Sequence, residues 1–256
     1  MAYVENRTIH DADSHVMEFP ETIGEFMSKK HLDEFKPFMK LRDEGWVQEM
    51  KALQDDPEYF SGAEREIMLR RGHTALGAFR KEDRPRTLDY LGFTSQLVFT
   101  TDSLDNYGLE TGETNALACE AARAHNRMMV DFCNVDKRLL PTGYVPLVDF
   151  DEAPRIAIEA LEMGCKGLII PSRCPPGHSP SHLAFEPLWS VAEQAGVPIL
   201  FHVGGEHKMN TDYHNSGGPQ VLDFHGGAEN FTSTSFMTIP LSVWQTMSVL
   251  IIDGVL

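Results

Sequence analysis

Cysteine is scarce in this sequence. The 256 residues include four cysteines, and none of them has the C-x-x-C spacing of redox motifs or zinc fingers. This absence excludes a small disulfide-stapled secreted domain and a cysteine-based zinc module. So few thiols in a chain of this length suit the reducing cytoplasm, and we predict packing roles for all four, Cys119, Cys133, Cys165 and Cys174.

Basic residues and long apolar segments are also scarce. The 22 basic residues are outnumbered by 38 acidic ones, and the net charge of -16 argues against nucleic acid or an anionic membrane surface as the main partner. No apolar run approaches the length of a membrane span, since even the run at 249–252 ends at Asp253. The N-terminal segment carries acidic residues and lacks the apolar core of a secretory signal. We therefore expect a soluble cytoplasmic protein.

Short apolar runs alternate with amphipathic segments, a pattern typical of βα units around a parallel sheet. Strands are predicted at 8–13, 96–100, 139–145, 167–170 and 197–203, and helices at 113–136, 151–163, 185–195 and 236–253. From the third strand to the fifth, the units recur about every 30 residues. This spacing favours a (β/α)8 barrel of the TIM type, formed by a single α/β domain over residues 1–256.

Two segments interrupt the repeat. Residues 20–83 are charged and compatible with helices, which predicts a helical insertion after the first strand. Residues 204–235 are rich in glycine, histidine, asparagine, serine and threonine, which predicts a long active-site loop after the fifth strand. Because only five strands are predicted, we expect an incomplete barrel of about five βα units, either a piece of a longer protein or a barrel that a partner closes.

Asp13 and His15 are separated by one residue at the end of the first strand. On a strand this spacing places both side chains on one face, and at the carboxyl end of a barrel strand that face borders the central cavity. A carboxylate and an imidazole suit zinc, manganese or iron. The triplet by itself is a weak signal, because such short patterns recur by chance and a strand-end carboxylate also caps turns.

His202 strengthens the prediction of a metal site. It closes the fifth predicted strand and precedes two glycines, so its imidazole enters the same cavity, although a core histidine would also fit this position. Two strands that deliver ligand-type residues to one rim predict a divalent-metal centre made of Asp13, His15 and His202. Zinc is the metal we expect, with manganese or iron as alternatives. Glu18 is a further candidate for supporting the ligands or contacting substrate.

The sequence resembles the amidohydrolase-related family of metal-dependent hydrolases and decarboxylases, which includes aminocarboxymuconate-semialdehyde, resorcylate and vanillate decarboxylases. The similarity extends over nearly the whole chain, in the segments IHDADSHVMEFPE, PRTLDYLGFTSQLVFTT, AARAHNRMMVDFCNVDKRLLPTGYVPL, GCKGLIIPSR and FEPLWSVAEQAGVPILFHVGG. It implies a metal-dependent (β/α)8 barrel. Family members often form dimers, so the resemblance also suggests a homodimer.

The resemblance also implies particular ligands. In the family, a pair from the first strand, a histidine from the fifth and an aspartate from the eighth hold one metal, and Asp13, His15 and His202 match the first three positions. Asp13 stands where histidine or glutamate is commoner. The family's acid/base histidine follows the sixth strand, so we expect it, with the last aspartate, beyond Leu256, and SVLIIDGVL resembles the helix before that strand.

Three further residues are predicted to contact substrate. Arg173, just after the fourth strand, is suited to a bidentate contact with a carboxylate, although a surface arginine beside two prolines fits equally well. His207 and His225 lie in the glycine-rich loop and are predicted to face substrate, where solvated histidines are the alternative.

The expected function is a metal-dependent decarboxylase, a carbon-carbon lyase, or a hydrolase acting on a small carboxylate-bearing substrate. The alternative from another class is an inactive or partner-dependent barrel fragment that serves as a binding or assembly module. A metal-free barrel lyase is a third hypothesis.

Overall fold

The computed structural model describes residues 2–39, 43–103, 109–110, 112–202, 217 and 240–256. Its centre is one parallel sheet, in which five strands lie side by side in the order of the chain. The strands are β1 (His10–His15), β2 (Ser95–Phe99), β3 (Leu139–Tyr144), β4 (Gly167–Ile169) and β5 (Ile199–Leu200).

Helices connect the consecutive strands of this sheet. The α-helices among the described residues are α1 (Lys29–Phe35), α2 (Glu44–Asp55), α3 (Ala63–Glu66), α4 (Arg84–Leu91), α5 (Asn115–Cys133), α6 (Glu152–Met163), α7 (Glu186–Ala195) and α8 (Leu241–Ile252). The helices α5, α6 and α7 each join two neighbouring parallel strands, which is the βα repeat of a barrel. Both α6 and α7 end at a glycine with positive φ, Gly164 at 111° and Gly196 at 63°. The predicted α/β class and the incomplete barrel of five βα units are confirmed.

Two strands differ from their predicted bounds. The strand β1 begins and ends two residues later than predicted, because its sequence HDADSH is polar and has no apolar alternation to mark its ends. Its ladder with β2 extends to His15, which pairs with Phe99. The strand β5 is shorter than predicted, since Pro198 has no N–H to donate to a ladder and the strand begins just after it.

Short helical segments fill the connection between β1 and β2. Besides α1, α2 and α3, the chain forms 3₁₀ turns at Thr22–Phe26 and Lys36–Phe38. The Ser28 hydroxyl caps α1 by accepting from the N–H of His31 at 3.3 Å, and the Asp43 carboxylate caps α2 by accepting from the N–H of Trp46 at 3.0 Å. These caps explain why helices begin at defined points in a charged segment.

The helices pack closely on the sheet through small side chains. Four alanines of α5 are buried, and α6 buries Ala153, Ala157 and Ala160. A Cβ at Gly143 in β3 would lie 2.9 Å from the Cβ of Ala160, so glycine is required where α6 crosses this strand. Because side chains alternate along a strand, the neighbouring Tyr144 points to the opposite face, the interior of the barrel.

Three of the four cysteines have the packing role that was predicted. Cys119, Cys133 and Cys165 are buried in the core, and burial raises the pKa of each thiol to about 12. The prediction was wrong for Cys174, which is exposed. It lies beyond the end of β4, beside Pro175, where the chain has left the sheet.

The sequence predicts no membrane-spanning segment. Across the ranges that the structure describes, no helix combines the length and the apolar character needed to cross a bilayer.

Candidate metal centre

Three side chains converge at the carboxyl ends of the two edge strands. The Nε2 atoms of His15 and His202 lie 2.9 Å apart, and Asp13 Oδ1 lies 3.3 Å from His15 Nε2 and 3.8 Å from His202 Nε2. Asp13 and His15 belong to β1, while His202 follows β5. The structure thus brings together the three residues predicted as metal ligands.

The spacing of these donor atoms fits a divalent metal ion. Zinc-type bonds of about 2.0–2.1 Å at angles of about 90–109° place neighbouring ligand atoms about 2.9–3.4 Å apart. His15 meets this range with both partners, and the Asp13–His202 separation of 3.8 Å is wider by a few tenths of an ångström. One carboxylate oxygen and two imidazole nitrogens form a donor set that zinc, manganese and iron accept.

A β-bulge in β1 aims the two ligands of this strand. Asp11 pairs with Gln96 and Ser14 with Val98, so three residue steps in β1 oppose two in β2. Because of this extra residue, the side chains of Asp11 and Asp13 have different partners. Asp11 accepts from Gln96 Nε2 at 3.0 Å, whereas Asp13 turns toward His15 and the site.

Arg84 holds this bulge from α4. Its guanidinium donates to the backbone oxygen of His15 at 3.0 Å, to Gln96 Oε1 at 3.0 Å and to Gly77 O at 3.2 Å, and it also contacts the hydroxyl of Ser14. Burial lowers the pKa of Arg84 to about 10, so the side chain stays charged at neutral pH. Nothing in the sequence signals this role, because a position before Pro85 at the start of a helix predicts no contact with β1.

The hydrogen bonds of His15 determine which ring nitrogen faces the site. Its Nδ1 lies 2.9 Å from the backbone oxygen of Thr100 and 3.2 Å from Thr101 Oγ1. Because the Thr101 hydroxyl already donates its proton to Val16 O at 2.8 Å, both partners can only accept from Nδ1. The proton therefore resides on Nδ1, and the lone pair of Nε2 points toward Asp13 and His202.

The electrostatics of the cluster favour a positive charge at its centre. The contact with His15 lowers the pKa of Asp13, partial burial opposes this shift, and the neighbouring His202 reinforces it. A divalent cation would supply positive charge where the three ligand atoms meet.

The cluster opens outward on the side of Asp13. The Asp13 side chain is 77% exposed, against 25% for His15 and 19% for His202. Catalytic metal sites combine protein ligands with an open position for water or substrate. The exposed carboxylate leaves this side of the cluster open.

Arg173 is half-buried at the carboxyl end of β4 and pairs with a buried carboxylate. Its Nη2 and Nε lie 3.1 and 3.3 Å from Glu110 Oε2, and the hydroxyl of Tyr144 contacts the other oxygen of Glu110. Arg173 also borders a cavity of about 740 Å³ between the loop after β4 and α8. It is therefore no freely solvated surface arginine. Sequence reasoning missed Glu110, which lies far from Arg173 along the chain.

Two further substrate contacts, His207 and His225, were predicted in the loop after β5. His207 and His225 lie outside the described residues, as does the loop predicted at 204–235 apart from Gly217.

A barrel that gathers imidazoles and a carboxylate at the carboxyl ends of its strands is the arrangement of metal-dependent barrel enzymes. A family model with the description amidohydrolase matches residues 11–240. The chain belongs to this amidohydrolase family, and the resemblance noted in the sequence is confirmed. No curated protein matches the chain.

Solved structures with the same fold come from several bacteria. An amidohydrolase of Mycobacterium avium subsp. paratuberculosis has a TM-score of 0.66 at 14% identity, over 98% of this chain and 70% of its own. The 5-carboxyvanillate decarboxylase of Novosphingobium aromaticivorans, crystallised with manganese, has a TM-score of 0.55 at 15% identity, over 96% of this chain and 61% of its own. The corresponding enzyme of Sphingomonas paucimobilis has a TM-score of 0.53 at 14% identity, with coverages of 96% and 63%.

These similarities establish a shared fold. The chain spans 61% and 63% of the two decarboxylases and 70% of the mycobacterial protein. At identities of 14–15%, the substrates of those proteins do not carry over to this chain by similarity alone.

Proposed function

We propose that this chain carries the metal site of a decarboxylase that acts on a small carboxylate-bearing substrate. The observation that carries the proposal is the convergence of Asp13, His15 and His202 at the rim of the barrel, with their ligand atoms 2.9 to 3.8 Å apart. Two decarboxylases share the fold, which supports decarboxylation over other reactions of the class. Hydrolysis of an amide or ester at the same metal is the second candidate, and the mycobacterial amidohydrolase supports it.

Asp13, His15 and His202 would hold the divalent metal, and Thr100 and Thr101 would keep the His15 ring in its ligating orientation. The bound metal would act as a Lewis acid on substrate oxygens. In decarboxylation the bond between the carboxylate carbon and its neighbour breaks, carbon dioxide leaves, and the electron pair stays on the remaining carbon, which then takes a proton. Because all three ligands would be engaged by the metal, that proton would come from another group.

Zinc is the first metal to test and manganese the second. Two imidazoles and one carboxylate form a familiar zinc set, whereas the decarboxylase of N. aromaticivorans was crystallised with manganese. We further propose that Arg173 recognises the substrate carboxylate from its half-buried position beside Glu110. An Arg173→Lys variant, which keeps the charge but loses the planar fork, should then raise KM more than it lowers kcat.

The decisive experiment measures metal and activity together. The purified chain is loaded with zinc or manganese, its bound metal is counted by mass spectrometry, and carbon dioxide release from hydroxybenzoates is compared with hydrolysis of simple amides and lactones. We expect stoichiometric metal that Asp13→Ala and His202→Ala lose. A protein that binds no metal, and whose variants behave like wild type, would refute the metal site.

Two other results favour different functions. Stoichiometric metal without either activity would favour a binding or assembly module, because the chain spans only part of the length of the enzymes that share its fold. Activity that persists in chelator would favour a metal-free lyase.

A further inference from the structure

Residues 100–103 form the loop that orients His15, and a buried carboxylate holds this loop in place. Glu18 is 6% exposed, and its Oε1 accepts from the backbone N–H of Asp102 at 2.9 Å and of Ser103 at 2.7 Å. Its Oε2 accepts from the N–H of Thr101 at 3.1 Å. One carboxylate thus binds three consecutive backbone amides of residues 101–103, immediately after β2.

This arrangement requires a carboxylate. A glutamine in the same place would turn an NH₂ group toward at least one backbone N–H, and two donors cannot bond with each other. Burying a carboxylate is unfavourable unless hydrogen bonds compensate it, and desolvation raises the pKa of Glu18. The three backbone amides supply that compensation. The conformation of the loop therefore depends on the negative charge of Glu18.

A second contact fixes the start of the loop from α5. Asn126 Oδ1 accepts from the N–H of Tyr144 at 2.6 Å and lies 2.9 Å from His125 Nδ1. His125 therefore carries its proton on Nδ1, and its Nε2 accepts from the Thr100 hydroxyl at 3.2 Å. Thr100 is thereby held at its side chain, and its backbone oxygen is directed at His15.

We propose that Glu18 is a positioning residue for the metal site. By holding residues 101–103, it places the Thr100 carbonyl and the Thr101 hydroxyl so that His15 keeps its proton on Nδ1 and presents Nε2 to the ion. The described hydrogen bonds of Glu18 all go to residues 101–103, so it acts on His15 through the loop. The inference rests on the proposed metal site, and it names the residue that sets the ligating form of His15.

The test uses Glu18→Gln and reads the His15 ring directly. In metal-free protein labelled with ¹⁵N-histidine, long-range ¹H–¹⁵N correlation spectra distinguish a proton on Nδ1 from one on Nε2, and a His15→Gln spectrum assigns the signals. We expect Nδ1–H for His15 in wild type and a mixture of both forms in Glu18→Gln. We also expect the Kd for zinc to rise about 10- to 100-fold in the variant.

Two further variants complete the design. Glu21→Gln is the matched control, because Glu21 pairs with Lys51 at 2.5 Å and has no contact with residues 101–103 among the described hydrogen bonds. It should change neither the tautomer nor the Kd. Thr101→Val removes one acceptor of His15 without touching Glu18, and it gives a second test if Glu18→Gln does not fold. We expect it to shift the tautomer in the same direction as Glu18→Gln and to weaken zinc binding less.

The outcomes separate the two proposals. A shifted tautomer in Glu18→Gln, in a protein that binds no metal even as wild type, would support the positioning role and refute the metal site. Wild-type zinc binding with an unchanged tautomer and Kd in Glu18→Gln would overturn the positioning role alone. If Glu18→Gln unfolds, an unchanged tautomer in Thr101→Val overturns it as well.

Discussion

The Nε2 atoms of His15 and His202 lie 2.9 Å apart, although their strands are the two edges of a five-stranded sheet. In a flat sheet those edges would be about 19 Å apart, at about 4.8 Å per strand. The contact therefore requires the sheet to curl as the wall of a barrel does. The site depends on this curvature as much as on the ligand residues themselves.

Metal binding should stabilise the fold through this contact. A ligand that binds only the folded state adds about 2.7 kcal/mol when its free concentration is about 100 times its Kd. We expect zinc or manganese to raise the Tm of wild type in differential scanning fluorimetry. The same metal should leave the Tm of His202→Ala unchanged.

The control for this shift is His182→Ala. His182 lies near the start of α7, where it caps a 3₁₀ turn by accepting from the N–H of Ala184 at 3.1 Å, and its loss should lower the basal Tm while the metal-induced rise persists. An equal rise of Tm in wild type and His202→Ala would place the metal elsewhere.

Arg84 should affect both stability and the site, because its guanidinium satisfies the backbone oxygens of Gly77 and His15 and the side chain of Gln96. Arg84→Lys keeps the charge and loses the planar fork. We expect it to lower the free energy of unfolding by about 2–3 kcal/mol and to weaken metal binding. Urea unfolding measures the first effect and metal titration the second.

Arg86→Lys is the matched control for Arg84. Arg86 is exposed in the same helix and donates to the Tyr90 hydroxyl, so the substitution should cost less than about 0.5 kcal/mol. Similar losses for the two variants would contradict the bulge-holding role.

Acid should destabilise the protein partly through His125. Burial lowers the pKa of its imidazole from 6.5 to about 4, so the unfolded chain binds a proton in this interval that the folded chain does not. The free energy of unfolding should therefore fall as the pH drops from about 6.5 to about 4, by on the order of 3 kcal/mol from this group. His125→Gln should remove that part of the pH dependence.

The measurement is urea unfolding at a series of pH values, with wild type and variant compared at each one. Other groups titrate in both proteins, so the difference between the two curves isolates His125. Parallel curves between pH 6.5 and 4 would contradict the buried neutral imidazole.

Gly143→Ala tests the close approach of α6 to β3. The added methyl would lie 2.9 Å from Ala160 Cβ and 3.2 Å from Cys165 Sγ, and we expect a loss of about 1–3 kcal/mol in urea unfolding. Gly62→Ala is the control, because a Cβ there has its nearest contacts at 3.9 Å. Combining Gly143→Ala with Ala160→Gly should recover part of the loss, whereas additive effects would argue against this contact.

The sequence predicted the strands that have apolar runs and the three residues that converge. It predicted β2, β3 and β4 closely, because their runs are buried and bounded by turn residues. It placed β1 two residues early, since nothing in HDADSH marks the ends of a strand or the bulge before Ser14. The pair of Asp13 and His15 was still recognised, because its spacing is local.

The supporting contacts escaped prediction because they join residues far apart in the chain. Arg84 reaches His15 across 69 positions, and Arg173 meets Glu110 across 63. No local pattern encodes such pairs. They arise only when helices and loops pack against the sheet. The same is true of the Thr100 carbonyl oxygen and the Thr101 hydroxyl oxygen, which hold the His15 proton on Nδ1.

The contact between His15 and His202 spans 187 positions, which has a consequence for the order of folding. Local helices and neighbouring parallel strands can form while the two edges are still apart, and contacts of such long sequence separation form slowly. The three ligands Asp13, His15 and His202 come together only after the two edge strands have met. Metal capture would then mark the end of folding, and a stopped-flow experiment with a zinc-responsive dye should show zinc uptake lagging behind the recovery of helical signal.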